Sequence, residues 1–203
     1  MPQDGATISD PGHALNVFDF HDAAKAVLPK AHYGYMATGV DDDRTLHANS
    51  EAFQRYQLRV RRLVDVRTVD TSVELPGGRF ETPIVLCPVG SQRAFHADGE
   101  IAVAKAARAK NHLQILSTTT TSSVEDVAEA RGAPVWYQLY PTEDWNITRS
   151  LLKRAAAAGC PVVALTVDLY GGSNRETLAR FQLLDDRDCD ACHERDGGYQ
   201  GYI

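Results

Sequence analysis

From residue 83 onward, short apolar runs alternate with amphipathic stretches at a regular pitch, and no other feature constrains the fold of this chain as strongly. Residues 84–88, 113–116, 135–139 and 162–167 have the apolar, branched character of strands. Between them, residues 98–110, 123–130 and about 145–158 read as helices, the last closed by Gly159. Strands and helices that alternate in this way form right-handed βαβ units, and hence a parallel sheet. The run 162–167 is apolar without interruption, the pattern of a parallel strand covered on both faces. Periodicity does not separate an open doubly wound sheet from a closed barrel. The polar residues point to the barrel: Ser117, Gln138, Tyr140 and Thr166 fall at or just after the C-terminal ends of successive strands. In a barrel those ends converge on one mouth, where the chemistry of such folds resides.

The residues before this alternation are of another kind. The first dozen, rich in Gly, Pro and Asp, read as a loose tail. Residues 19–28 are helical in pattern, Pro29 interrupts them, and Gly39 is expected as the C-terminal cap of the next short helix. A further helix is expected over about 45–56. Residues 71–75 then read as a strand that Pro76, Gly77 and Gly78 turn back into residues 79–82.

The chain has 203 residues, 43% of them hydrophobic, enough to bury a core. Its formal net charge is -6 and its basic residues are dispersed apart from Arg59, Arg61 and Arg62, so nucleic acid is not an expected partner. No stretch reaches the roughly 20 apolar residues that cross a bilayer, and residues 1–14 lack a basic flank followed by an apolar run. The expectation is a cytoplasmic protein without membrane attachment. Cys87 and Cys160 sit beside apolar runs, where small buried thiols are common. Cys189, Cys192 and His193 formally match the spacing of haem attachment, but a metal, a loop disulfide or free thiols in a polar loop are the readings that need no export, and no metal site is expected.

Six motifs follow one another in order: LPKAHYGYMATG from Leu28, DDDRTLHANSEAFQRYQLRVRRLVDV from Asp41, PIVLCPVGSQRAFHADGE, ILSTTTTSSVEDV, WYQLY, and ALTVDLYGGSNRE ending at Glu176. Together they resemble the FMN-dependent L-2-hydroxy-acid oxidases and dehydrogenases, the family of glycolate oxidase, lactate oxidase and mandelate dehydrogenase, from about residue 17 to 180. The resemblance implies an α/β fold. Residues 1–82 would form a tail, helices and a hairpin, residues 83–180 the first four βα units of a TIM (β/α)8 barrel, and residues 181–203 a polar loop after strand four. It also implies FMN as cofactor and oxidation of a small L-2-hydroxy acid to a 2-oxo acid.

Carried over residue by residue, the resemblance assigns the flavin to the backbone at Pro88, Val89 and Gly90 and to the side chains of Ser117, Gln138 and Thr166. It assigns the substrate carboxylate to Tyr35 and Arg175, and the reacting hydroxyl to Tyr140 as the catalytic contact. A planar guanidinium suits a carboxylate because it can donate two parallel hydrogen bonds. Thr119 and Gly172 stand where glycolate oxidase carries bulky Trp and Leu beside the substrate, which implies a larger pocket here. Gly90, where many oxidases carry alanine, hints at a dehydrogenase. His96 is expected as a structural residue at a helix start, because the family's catalytic base lies in a later His-Gly motif. That histidine, a second arginine, a lysine and a phosphate site belong to strands beyond these residues. The implied partner is therefore a complementary C-terminal half-barrel polypeptide, and the assembled unit is expected to form a homo-oligomer. Two other readings stay open: a different FMN barrel such as an isomerase, and a half-barrel without catalytic activity.

Overall fold

The structure is a computed structural model that describes residues 8–168 and 172–187. The chain falls into two compact units, one reaching to Arg61 and including the last described helix, the other holding the hairpin and the parallel strands.

In the second unit, β3 (Val85–Leu86), β4 (Leu113–Ser117), β5 (Trp136–Leu139) and β6 (Val163–Leu165) pair in parallel in the order β3-β4-β5-β6. The order follows the sequence with no reversal, as in a barrel wall, whereas a doubly wound sheet reverses at a switch point. Three helices return the chain between them: α4 (Gly99–Ala109), α5 (Val124–Arg131) and α6 (Trp145–Ala157). Their ends follow from local chemistry. The Ser123 side chain accepts from Asp126 N at the start of α5, and the Asp144 side chain accepts from Asn146 N at the start of α6. Gly132 stops α5 in the left-handed region at φ 73°, where a side chain would be strained. Ala104, Leu116, Val127, Val135, Tyr137 and Ala155 pack between helices and strands to form the core.

The hairpin, β1 (Val73–Leu75) against β2 (Gly78–Phe80), groups by contacts with these strands and not with the N-terminal helices. Trp136 Nε1, at the start of β5, donates to Pro76 O at 3.0 Å. The hairpin therefore sits toward the N-terminal ends of the strands, away from the polar residues at the opposite ends.

Two expectations are corrected here. The fourth strand is not covered on both faces, since Val163 and Leu165 are 44% and 57% exposed. Among the described residues β6 has β5 as its only strand neighbour and is an edge of the sheet, as is β3. Cys87, just after β3, is exposed for the same reason, and Cys160 is half-buried.

The first unit contains α1 (Phe20–Val27), α2 (Lys30–Ala37), α3 (Arg44–Ala52) and α7 (Glu176–Gln182). α2 and α7 meet through Gly34, where a Cβ would lie 2.6 Å from Phe181 Cβ, and through Tyr33, whose ring stands edge-on to Phe181 at 5.4 Å. Gly39 is not the left-handed cap of α2. Thr38 ends the helix in extended geometry, and Gly39 N donates to Asp43 Oδ1 at 2.6 Å. Asp43 takes the left-handed conformation instead, at φ 61°. Among the described residues no helix is long and apolar enough to cross a membrane.

Candidate flavin and substrate site

Parallel register brings the strand-end residues of the second unit into a row. Ser117 is paired with Gln138, and Gln138 with Ala164, two residues before Thr166. Ser117 Oγ donates to Gln138 Oε1 at 3.0 Å, and Gln138 Nε2 donates to Thr166 Oγ1 at 2.8 Å. Ser117 and Gln138 are buried, while Thr166 is half-buried. This hydroxyl, amide, hydroxyl sequence retains a second amide hydrogen on Gln138 and the hydroxyl hydrogen of Thr166. Such a mixed set of donors and acceptors suits the edge of a flavin ring, which itself alternates them.

The segment after β3 lies against the loop after β4. Ser91 N donates to Thr119 O at 2.8 Å, and Gln92 Nε2 donates to Val89 O at 3.1 Å. A Cβ on Gly90 would fall 1.9 Å from Thr119 Oγ1, so this close approach exists only because residue 90 has no side chain. Pro88 and Gly90 are half-buried and Val89 is exposed, so the backbone here forms a cradle at the strand ends. Thr119 Oγ1 is also 3.0 Å from Ser117 Oγ. The donor set of the row and the Gly90 cradle fit an FMN ring.

Thr118 is a contributor that the sequence reading missed. Its buried hydroxyl donates to Gln138 O at 2.6 Å and accepts from Tyr140 N at 2.9 Å, fixing the backbone of Tyr140 at the end of β5. Its one sequence signal is a place in the hydroxyl run after β4, which does not tell which hydroxyls turn inward.

In the first unit, Tyr35 and Arg175 are brought together. Arg175 Nη2 donates to Tyr35 O at 2.8 Å and Thr38 O at 2.7 Å, and the guanidinium lies over the Tyr35 ring, 4.9 Å from its centre. Both Nη2 hydrogens are therefore committed. Each fork a guanidinium can offer to a carboxylate uses Nη2, so in this conformation Arg175 offers Nε and Nη1 singly and must release a carbonyl to grip with two bonds. Gly172 is exposed, with no atom of the described residues within 4 Å of where a Cβ would stand.

His96 is exposed, and its Nδ1 accepts from Asp98 N at 3.2 Å just before α4, which is a structural role. Among the described residues no group of three His, Cys, Asp or Glu side chains gathers to hold a metal. Cys189, Cys192 and His193 lie outside the described residues.

Residues 24–192 match the model of the FMN-dependent dehydrogenase family. Glycolate oxidase 1 of Oryza sativa subsp. indica is 37% identical over 205 residues, which is 95% of this chain and 55% of the relative. Glycolate oxidase 3 of the same plant is 41% identical over 170 residues, 83% of this chain and 46% of the relative. A solved mandelate oxidase superposes with a TM-score of 0.77 at 34% identity, over 82% of this chain and 48% of that one. A mandelate oxidase mutant holding a C4a-OH-FMN adduct gives 0.75 at 34%, over 80% and 49%. The chain thus spans about half the length of the relatives it matches. The matched stretch takes in both the strand-end row and the pair Tyr35 and Arg175, and the chain belongs to the FMN-dependent dehydrogenase family.

Proposed function

We propose that this chain supplies the flavin-binding half of an enzyme that oxidises an L-2-hydroxy acid to the 2-oxo acid, completed by a C-terminal half-barrel polypeptide. The observation that carries this reading is the row Ser117, Gln138 and Thr166 across three adjacent parallel strands, next to the Gly90 cradle. FMN bound there supplies a two-electron acceptor. Ser117, Gln138 and Thr166 would hold the ring edge through their hydroxyl and amide groups, with the backbone of Pro88, Val89 and Gly90 as the further contact.

Arg175 and Tyr35 bind the substrate carboxylate, and Tyr140 orients the hydroxyl through its phenol. The Cα hydrogen leaves with both bonding electrons, the hydroxyl proton goes to a base, and a carbonyl remains. That base is assigned to the complementary half, because the row Ser117, Gln138 and Thr166 offers only hydroxyls and an amide. Among the described residues β3 and β6 are edges of the sheet, which supports such a partner, since an apolar parallel sheet needs strand neighbours on both sides.

The test is spectroscopic. The assembled protein, purified with the complementary half, is expected to show a flavin spectrum that bleaches anaerobically when an L-2-hydroxy acid is added. Bound flavin that no 2-hydroxy acid bleaches would favour another FMN barrel activity. Absence of flavin would overturn the reading.

A further inference from the structure

Glu100, in the first turn of α4, is fully buried and takes no part in the chemistry above. Its carboxylate receives four hydrogen bonds. Oε1 accepts from Gln92 N at 3.3 Å and Thr121 N at 2.9 Å, and Oε2 accepts from Thr121 Oγ1 at 2.5 Å and Ser122 Oγ at 3.1 Å. Among the described residues no Lys, Arg or His forms an ion pair with it. Burying a carboxylate is costly unless hydrogen bonds replace its water, and here they do.

The donors come from two different loops. Gln92 belongs to the loop after β3, two residues beyond Gly90, while Thr121 and Ser122 belong to the loop after β4, just beyond Thr119. Arg93 N donates to Thr121 Oγ1 at 3.3 Å, so the hydroxyl that gives its hydrogen to Glu100 also takes one from the first loop. Between these ties and the strand ends lie Ser91 N to Thr119 O and the tight contact of Gly90 with Thr119. One carboxylate thus joins the two segments that form the cradle.

We propose that Glu100 is a positioning residue for FMN: it locks the loops after β3 and β4 together so that the 88–90 backbone and Ser117 meet the flavin in fixed geometry. The inference rests on the reading of these strand ends as the FMN site. Loss of four hydrogen bonds at once frees both loops, so local opening is the expected consequence.

The test titrates FMN into the flavin-free full-length assembled protein and reads amide hydrogen exchange at Gln92 and Thr121 without flavin. Glu100→Ala is expected to weaken FMN binding about tenfold or more and to expose both amides. Glu100→Gln keeps a carbonyl for the two N–H donors and is expected to restore affinity to within about threefold of wild type. Val127→Ala, which hollows the core beside α5, is the stability control, with a lowered Tm and unchanged FMN affinity. Where Glu100→Ala does not fold, Thr121→Val removes one donor and is expected to give a smaller loss of the same kind. The inference is overturned if wild type binds FMN and both Glu100→Ala and Thr121→Val bind it as well as Val127→Ala. Failure of wild type itself to bind FMN would instead overturn the functional reading on which this one stands.

Discussion

The Arg175 guanidinium carbon lies 4.9 Å from the centre of the Tyr35 ring while Nη2 donates to the Tyr35 carbonyl at 2.8 Å. One side chain therefore holds the end of α2 and, in the proposed function, binds substrate. Arg175→Lys keeps the charge but loses the planar stack and the paired donors. The expected outcome is a fall in kcat/KM of about 2 kcal/mol or more, roughly thirtyfold, with a modest loss of thermal stability from the weaker tie to Thr38. Steady-state kinetics and a melting curve on the same preparation separate the two effects. Unchanged kinetics beside a lowered Tm would leave Arg175 with a structural role alone.

Gly90 and Thr119 form a second coupled pair. Gly90→Ala places a methyl 1.9 Å from Thr119 Oγ1, so the hydroxyl must rotate away and give up its contact with Ser117. The expected cost is about 1–3 kcal/mol, with weakened FMN binding. Adding Thr119→Ala removes the clashing atom, although the methyl still meets Thr119 Cβ at 3.1 Å. The double variant should recover most but not all of the loss. A double-mutant cycle in urea, with FMN titration, measures the coupling, and additive losses would refute the packing argument.

The strands were legible because apolar runs bounded by helices permit few alternatives, and register alone then aligned Ser117, Gln138 and Thr166. Other features depend on partners that no local pattern announces. Gly39 looked like a helix cap, but an Asp43 carboxylate four residues on captures its N–H and takes the left-handed conformation itself. Nothing in the sequence sets Glu100 apart from any charged residue at a helix start, yet its partners lie 8, 21 and 22 residues away. The meeting of Gly34 with Phe181 was equally invisible, since nothing in either helix names the other. The apolar run 162–167 gave the right strand and the wrong environment, because covering is a property of neighbours.

Asp43 predicts a pH dependence. The Thr177 hydroxyl, and next the Gly39 N–H, hold its carboxyl below the usual carboxylate range. A depressed folded pKa means that the unfolded chain takes up the proton first. The stabilisation is thus complete above the unfolded value near pH 4 and is lost as pH falls through the folded one. Between about pH 5 and 8 this group contributes no slope. Asp43→Asn keeps a residue that tolerates φ 61° but no longer titrates. Urea midpoints measured from pH 5 down to pH 3 should fall more steeply for wild type than for the variant. Parallel lines would remove Asp43 from the acid response.

The last prediction concerns substrate size. Thr119 is half-buried, its hydroxyl drawn toward Ser117, and Gly172 is exposed with nothing among the described residues within 4 Å of a Cβ position. Both stand where the family resemblance puts side chains that flank the substrate, and where glycolate oxidase carries Trp and Leu. Smaller walls leave more room for the substituent on Cα. Each methylene moved out of water is worth about 0.8 kcal/mol, close to fourfold, so the preference should be graded and not absolute. With the assembled enzyme, kcat/KM is expected to rise from glycolate to lactate and again to 2-hydroxyisocaproate or mandelate. Gly172→Leu combined with Thr119→Trp should reverse that order by refilling the space. Residues of the complementary half compete with this account, because they would fill the pocket without any change at 119 or 172. The two accounts diverge on wild type: if glycolate is the best of the four acids, the enlarged-pocket argument fails.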